Sequence, residues 1–474
     1  MKLHNTLTKR TDTFAPLEAG RARIYSCGPT VYDHIHIGNL SSFIVADTLR
    51  RVLAANGFKP HHVMNFTDVD DKTIARSAER YTELEPMEAL KRLTGEYSRV
   101  FLEDMAAVGN DTAAINFVKA TDFIPKMQEL VRQLHAAGFA YVADDGVYFS
   151  IEAYRKSGKI YGQLTEITAA STGEARIQND EYDKASAHDF ALWKTQKPGE
   201  PAWDFELDGK DLKGRPGWHL ECSVMSSSQL GQPFDIHTGG IDLIFPHHEN
   251  EIAQSTADQP EPLYAKFFVH NEHLLVDGKK MSKSLNNFYT LQDIQDKGFD
   301  PLAFRLLVLQ AHYRSQARFS WENLEAAQNR LNDLRALAAL RWQPREVAHD
   351  SGTEALRDVP QQLARILSED LDTPEALAYL SRVTTQLLTV HIEKDMVDHF
   401  EAMLQGIDDL LGLDLMMVSD ITTAEKDLIA RREAARARQD WAESDRLRDE
   451  LAARGIGLHD HPHGVIWFPR SSPA

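Results

Sequence analysis

The chain lacks the cysteines for a disulfide framework. Two cysteines, Cys27 and Cys222, stand in 474 residues, so a reducing cytoplasm is the expected setting. Long apolar runs are missing too, and no membrane partner is expected. The start, Met1-Lys-Leu-His-Asn-Thr6, has no apolar core of the signal-peptide kind. Positive charge is not in excess: 52 Lys and Arg against 71 Asp and Glu give a net charge of −19. That argues against non-specific nucleic-acid binding. It leaves room for a local basic groove, because phosphate contacts act over roughly 8 Å at physiological salt. No internal repeat and no low-complexity segment is seen. What remains is a chain that is 42% hydrophobic, ordinary for a globular protein and long enough for two to four domains.

The pattern is α/β. Ala22 to Ser26 alternates as a buried strand, and Leu40 to Ala55 is apolar at helical spacing. Between them lies Cys27-Gly-Pro-Thr-Val-Tyr-Asp-His-Ile-His-Ile-Gly-Asn39, a Gly/Pro turn into a helix N-terminus. Such a turn aims backbone N–H groups at an anion above the sheet edge, with the imidazoles of His34 and His36 beside them. His61 to Asp68 reads as a second strand ending in Asn65, Thr67 and Asp68, with Asp70, Asp71 and Lys72 opening a helix. Further on come a helix from Phe123 to Ala137, a hairpin over Gly138–Val142 and Gly146–Ser150, and a polar, Gly- and Lys-rich stretch to Gly217. Trp218 to Ser227 reads as a helix start, Phe234 to His237 as a strand, and a helix is expected from about Phe245. Asp277 to Asn286 reads as a flexible loop. After Trp321 the periodicity is helical to about Leu411. The tail reads as one charged helix and a small β element from Ile456 to Phe468.

Several groups carry chemistry. His247 and Glu251 are four apart and share a face on a helix. With Cys27 and Cys222 they supply two thiolates, an imidazole and a carboxylate, a tetrahedral zinc donor set. The spacing is equally that of two unrelated buried cysteines and a solvated helix face. His248, three before Glu251, is a rival ligand that reads better as a neighbour or core residue. Lys280-Met-Ser-Lys-Ser284 is a solvated turn or a mobile clamp in which Lys280 and Lys283 neutralise a leaving pyrophosphate. Gly239 and Gly240, before Asp242, permit close backbone approach to a ligand or make an ordinary turn. Trp218 is either core or the wall of a small pocket.

His36-Ile-Gly-Asn39 together with Lys280-Met-Ser-Lys-Ser284 resembles the paired signatures of class I aminoacyl-tRNA synthetases. Cys27-Gly-Pro-Thr-Val-Tyr-Asp33, Gly217-Trp-His-Leu-Glu-Cys222 and Phe245-Pro-His-His-Glu-Asn-Glu251 resemble the cysteinyl-tRNA synthetases within that class. The likeness continues through Ala120-Thr-Asp-Phe-Ile, Gly146-Val-Tyr-Phe, His312-Tyr-Arg-Ser, Leu371-Asp-Thr-Pro and Gly464-Val-Ile-Trp467, so it covers nearly the whole chain.

The resemblance implies a Rossmann-like parallel-sheet catalytic domain with an inserted α+β segment, then a helical bundle and a small α/β tail. The boundaries expected are 1–115 and 217–270 for the catalytic halves, 116–216 for the insertion and 271–320 for the lysine loop and stem-contact region. The bundle is expected over 321–411 and the anticodon-contacting tail over 422–474. It implies ATP-dependent activation of L-cysteine and transfer to the 3′-terminal ribose of its tRNA, by a monomer, with one Zn2+ per chain and Mg2+ with ATP. Cys27, Cys222, His247 and Glu251 would hold the zinc. Gly28, Thr67 and Trp218 would lie near the amino acid. Thr30, His34, His36, Gly38, Asn39, Gly239, Gly240, Asp242, Lys280 and Lys283 would bind ATP, with His36, Asn39, Lys280 and Lys283 acting in catalysis. Asn39 departs from the second histidine that the class pattern often has, so it should position phosphate oxygens rather than neutralise them. Arg436, Trp441 and Asp445, with Arg431, Arg432 and Arg438 nearby, would contact the anticodon. The alternatives are a cysteinyl-adenylate ligase acting on an amine, as in mycothiol-pathway enzymes, and a non-catalytic tRNA-binding relative.

Overall fold

Five parallel strands fix the position of the rest. The computed structural model describes residues 1–165, 189–260, 263–276, 278–279, 281, 287–344, 356–388, 392–461 and 464–469. The strands are β1 (Arg21–Ser26), β2 (Lys59–Phe66), β3 (Ile115–Lys119), β4 (Phe234–Gly240) and β5 (Ala265–Asn271), in the order β5-β4-β1-β2-β3. β1 and β2 bury consecutive residues, Ile24 to Ser26 and His62 to Phe66. That is the mark of strands covered on both faces. Register sets Ser26 against both Met64 and Thr238, and Gly240 against Asn271. The carboxyl ends of β1, β2 and β4 are therefore side by side. Strand order reverses between β1 and β4, the place where open parallel sheets receive ligands.

The helix α1 (Ile37–Ala55) starts at that edge and runs back along the sheet. His36 is its N-cap: its Nδ1 accepts from the Asn39 amide at 3.1 Å. That cap starts the helix at Ile37, ahead of the expected Leu40. α2 (Asp71–Arg80) opens with a reciprocal cap between Asp70 and Thr73. α3 (Pro86–Ala107) packs Phe101 edge-on against Phe43 and Phe66, with ring centroids 5.0 and 5.7 Å apart. Burying a ring of this size is worth about 1.5–3 kcal/mol, which holds α3 to the sheet.

β3 pairs with β2 through Lys119, so the parallel sheet runs past the boundary expected at residue 115. α4 (Ile124–Ala136) follows. The hairpin is Ala140–Ala143 with Gly146–Phe149. The stretch read as merely polar also holds strands, Phe190–Thr195 and Gly214–Pro216, which complete a four-stranded antiparallel sheet. α5 (Trp218–Leu230) and α6 (Glu249–Thr256) flank β4 in sequence. The expected helix start at Phe245 is corrected. Phe245 has extended backbone, φ −133° and ψ 133°. A residue before proline is pushed out of the helical region, so a wide turn carries His247 and His248 before α6 begins.

Leu274–Val276 pairs with Ala317–Phe319 on either side of α7 (Pro301–Leu309), a helix the sequence reading did not name. After Trp321 the described chain is helical, as the periodicity predicts: α8 (Trp321–Ala339), α9 (Val359–Leu367), α10 (Thr373–Leu387) and α11 (Val397–Leu411). The tail has two helices where one was expected, α12 (Thr423–Ala437) and α13 (Trp441–Ala453). Gln439 takes φ 58° between them, and Asp440 caps α13 through the Glu443 amide. A hairpin, Ile456–His461 with Gly464–Pro469, completes the described chain.

Candidate active site and metal centre

At the carboxyl ends of β1 and β4, the ligand atoms of Cys27, Cys222, His247 and Glu251 all lie within 4.8 Å of one another. The two sulfurs are 3.8 Å apart, and Cys27 Sγ is 3.7 Å from Glu251 Oε1. His247 Nε2 lies 3.1 Å from the same oxygen. Each donor is aimed by a second contact. Glu251 Oε2 is held by His237 Nε2 and by the Tyr264 hydroxyl, both at 2.9 Å, which leaves Oε1 facing the thiols. His247 Nδ1 is 2.8 Å from His219 Nδ1, while its buried Nε2 has no hydrogen-bond partner among the described residues. A histidine fixed through one nitrogen with the other left open is how metal ligands are oriented.

A second set, Cys27, His237, His248 and Glu251, is equally close. It is the poorer one, because its His237 Nε2 is taken up by Glu251 and it has one sulfur rather than two. His248 instead sits between Cys27 Sγ, at 3.4 Å, and His270, its Nδ1 2.8 Å from His270 Nε2. His270 passes the chain on to Thr6 Oγ1 at 2.7 Å.

Burial governs the protonation here. It lowers His247, His219 and His270 to about 3, so each is neutral, as a ligand or its partner must be. Burial pushes the Cys27 thiol well up, and the Cys222 thiol and Glu251 carboxylate beside it add to this. Burial also works against the Glu251 carboxylate, but the facing His237 and His247 hold it below its ordinary value. Buried thiols beside a buried carboxylate are a costly arrangement that a divalent cation resolves, since it favours the deprotonated donors. The donor set fits a metal ion.

The neighbouring candidates fall around this cluster. Trp218 stacks on His247 with centroids 4.1 Å apart, which makes it a wall of the site. The Gly28 amide donates to Asn65 Oδ1 at 2.9 Å, and a Cβ at Gly28 would lie 1.7 Å from the Asn65 carbonyl oxygen. Thr30 bridges to Thr67, and Asn65 Nδ2 donates to Thr67 Oγ1 at 3.1 Å. Gly28, Thr30 and Thr67 thus meet beside Cys222, whose sulfur is 3.8 Å from Asn65 Oδ1.

The signature turn differs from its expected role in one respect. The Ile37 amide donates to Tyr289 O and the Asn39 amide to His36, so these two amides are not directed at an anion. Burial lowers His36 to about 4 even though Asp242 pulls it up. It is neutral, and with Nδ1 accepting, its proton is on Nε2. His34 is exposed, with its ring edge-on to Tyr97, and Asn39 is exposed at the crevice edge. Gly38 is closely covered: a Cβ would come 2.4 Å from Met281 Cε and 2.9 Å from His36 Nδ1, so those side chains would have to shift. Met281 therefore lies against the first signature. Lys280 and Lys283 lie outside the described residues. Gly239 and Gly240 end β4 as strand residues rather than as a turn, and Cβ atoms there would meet Leu243 and Asp242.

In the tail, Arg436 lies over the Trp441 ring at 5.6 Å and pairs with Asp460 at 3.1 Å. Asp445 pairs with Arg448 at 3.4 Å. Arg432 is different: it is buried and grips Asp460 with two hydrogen bonds, which is a structural use. Site residues absent from the sequence reading are Tyr264, His237, His219 and His270. His237 and His270 lie in strands, His219 in a helix and Tyr264 just before the strand β5, all among residues whose apolar character is that of core.

Residues 13–329 match the model of the tRNA synthetases class I (C) catalytic domain, and residues 418–467 match that of the cysteinyl-tRNA ligase anticodon binding domain. In fold, the chain is similar to Mycobacterium tuberculosis methionyl-tRNA synthetase in complex with methionyl-adenylate. The TM-score is 0.57 at 15% identity, over 84% of this chain and 93% of that one. The match over residues 13–329, on a parallel sheet of this order, makes the chain a class I aminoacyl-tRNA synthetase. Cysteine–tRNA ligase of Chlamydia muridarum is 39% identical over 98% of each chain, and that of Synechococcus elongatus is 39% identical over 99% of this chain and 100% of its own. The chain belongs to the cysteine–tRNA ligase family.

Proposed function

We propose that the chain joins L-cysteine to the tRNA that carries cysteine. A carboxylate oxygen of cysteine attacks the α-phosphorus of ATP, and the bond to the bridging oxygen breaks and releases pyrophosphate. The 2′-hydroxyl of the tRNA's terminal ribose then attacks the acyl carbon, and AMP leaves. The observation that carries this reading is the buried convergence of two thiols, an imidazole and a carboxylate at the switch point of the sheet.

Cys27, Cys222, His247 and Glu251 hold one zinc ion. When bound, zinc supplies a soft acceptor for the substrate's thiolate, which a serine hydroxyl of similar size does not match. Discrimination of that kind makes a separate editing site unnecessary. Trp218 walls the side-chain pocket, and Gly28 and Thr67 border the amino group. Thr30, Gly38, Gly239 and Gly240 let backbone approach the nucleotide, with Asp242 beside them to accept from a hydroxyl. His34 and Asn39 position phosphate oxygens, and neutral His36 donates from Nε2. Lys280 and Lys283, with Mg2+ on ATP, offset the charge on the leaving pyrophosphate. No protein nucleophile is needed, because positioning and charge stabilisation suffice.

The anticodon-domain match at 418–467 favours tRNA over a small amine as acceptor. Arg436, Trp441 and Asp445 are suited to splayed bases. No described helix is long and apolar enough to cross a membrane, and we place a monomeric enzyme in the cytoplasm.

ATP–pyrophosphate exchange on the purified protein tests the proposal. Exchange with cysteine and not with serine, followed by charging of tRNA, is expected. Equal exchange with serine would remove the selectivity account, and exchange without charging would favour an amine acceptor.

A further inference from the structure

α1 leads from the first signature to a buried charge node. Asp47 is fully buried about 16 Å along the helix from His36, at 1.5 Å per residue. Its Oδ1 accepts from Arg50 at 2.8 Å, and its Oδ2 from Arg51 at 2.6 Å and from Arg305 of α7 at 2.7 Å. The two guanidiniums on Oδ2 do further work. Arg51 also donates to Gly109 O, beyond α3, and to Asp408 O and Asp409 O in the last turn of α11. Arg305, fully buried, donates to Val108 O and to Leu411 O. Cations fit there, because a helix C-terminus gathers unsatisfied carbonyls and partial negative charge. The two helix ends abut through glycines in left-handed conformation. A Cβ on Gly109 would lie 2.3 Å from Gly412 O.

The end of α11 continues into the anticodon-domain match. Asp408 accepts the Leu415 and Met416 amides at 2.8 Å each. Arg341 of the bundle then ties the carbonyls of Met416 and Val418. An unbroken set of hydrogen bonds therefore runs from the helix that begins at His36 to the residue where the C-terminal unit starts. None of these groups touches the metal cluster or the ATP candidates.

We propose that Asp47, Arg51 and Arg305 are positioning residues that register anticodon contact with chemistry at the acceptor end. The inference rests on the proposed tRNA ligase activity. Loosening the node leaves cysteine activation alone and weakens the reward for a correct anticodon.

A double-mutant cycle tests this. kcat/KM for charging is measured with wild type and Arg51→Gln, each on native tRNA and on tRNA with an altered anticodon. The penalty for the altered anticodon is expected to shrink about tenfold in the variant, a typical coupling size, while cysteine-dependent exchange stays within about twofold of wild type. A merely structural role would lower both tRNAs equally and leave the penalty unchanged, which overturns the proposal. If Arg51→Gln does not fold, Asp408→Asn enters the same cycle with the same expectation. Failure of wild type to exchange with cysteine would defeat the ligase reading instead.

Discussion

Glu251 and Trp441 mark two ways of building a binding site. Glu251 is wholly buried, two groups fix one of its oxygens, and the other faces a thiol and an open imidazole nitrogen. Trp441 is 56% exposed, with one arginine over its ring. The first arrangement is rigid before any ligand arrives, which suits discrimination between a thiol and a hydroxyl. The second leaves a flat apolar face in water beside charges that are easily redirected, since exposed ion pairs are worth little. It suits bases that arrive unstacked and must be accommodated. Small changes should therefore be costly at the first site and local at the second.

The largest effect is expected for Cys222→Ser. A hydroxyl is a poor zinc ligand, and even partners of metal ligands cost 10–100-fold when removed. Metal content should fall to near zero by mass analysis, with kcat/KM for cysteine in exchange reduced more than about 100-fold. Retention of one metal per chain would show that the second donor set holds it. Next is Trp441→Ala. Losing one stacking platform should raise the tRNA KM by an amount equivalent to about 1–3 kcal/mol and leave exchange unchanged. A fall in exchange would show that the two sites are not separable in this way. Tyr264→Phe follows, removing one of the two groups on Glu251 Oε2. It should weaken metal affinity about tenfold, read by competition with a chelator.

The last prediction is a pH slope, which bears on the sheet rather than on either site. His62 is buried, its Nε2 2.7 Å from Ser26 Oγ. Burial, with Arg50 adding to it, lowers it to about 3. The folded protein keeps it neutral where the unfolded chain takes up a proton. Its contribution to stability is therefore complete above the ordinary value near 6.5 and declines by about 1.4 kcal/mol per pH unit as pH falls toward 3. Urea midpoints at pH 7, 6 and 5 should fall less steeply in His62→Leu than in wild type. Parallel slopes would contradict burial as the cause.

Much of the rigid site was legible because its residue types are rare. Two cysteines in the chain had few roles to choose from, and the spacing of four between His247 and Glu251 pointed to a contact that forms, although His247 sits in the turn ahead of α6 rather than on its face. Their partners were not legible. His237 and Tyr264 sit where period and composition read as core, and only three-dimensional pairing turns them toward Glu251. Phe190–Thr195 was missed as a strand because its partners, Gly146–Phe149 and Gly214–Pro216, are remote in sequence. Arg305 lies inside the apolar run of α7, and nothing local announces that it answers Asp47. The break between α12 and α13 had a signal, Asp440 three residues before Glu443, but no Gly or Pro to strengthen it.

The most direct test of the central claim is X-ray absorption at the zinc edge of the purified protein, without and with L-cysteine. Two sulfurs with two lighter donors, rising to three sulfurs with cysteine and not with serine, is the predicted result. One sulfur at the start would place the ion on Cys27, His237, His248 and Glu251. A sulfur count that cysteine does not change would contradict selection through the thiol.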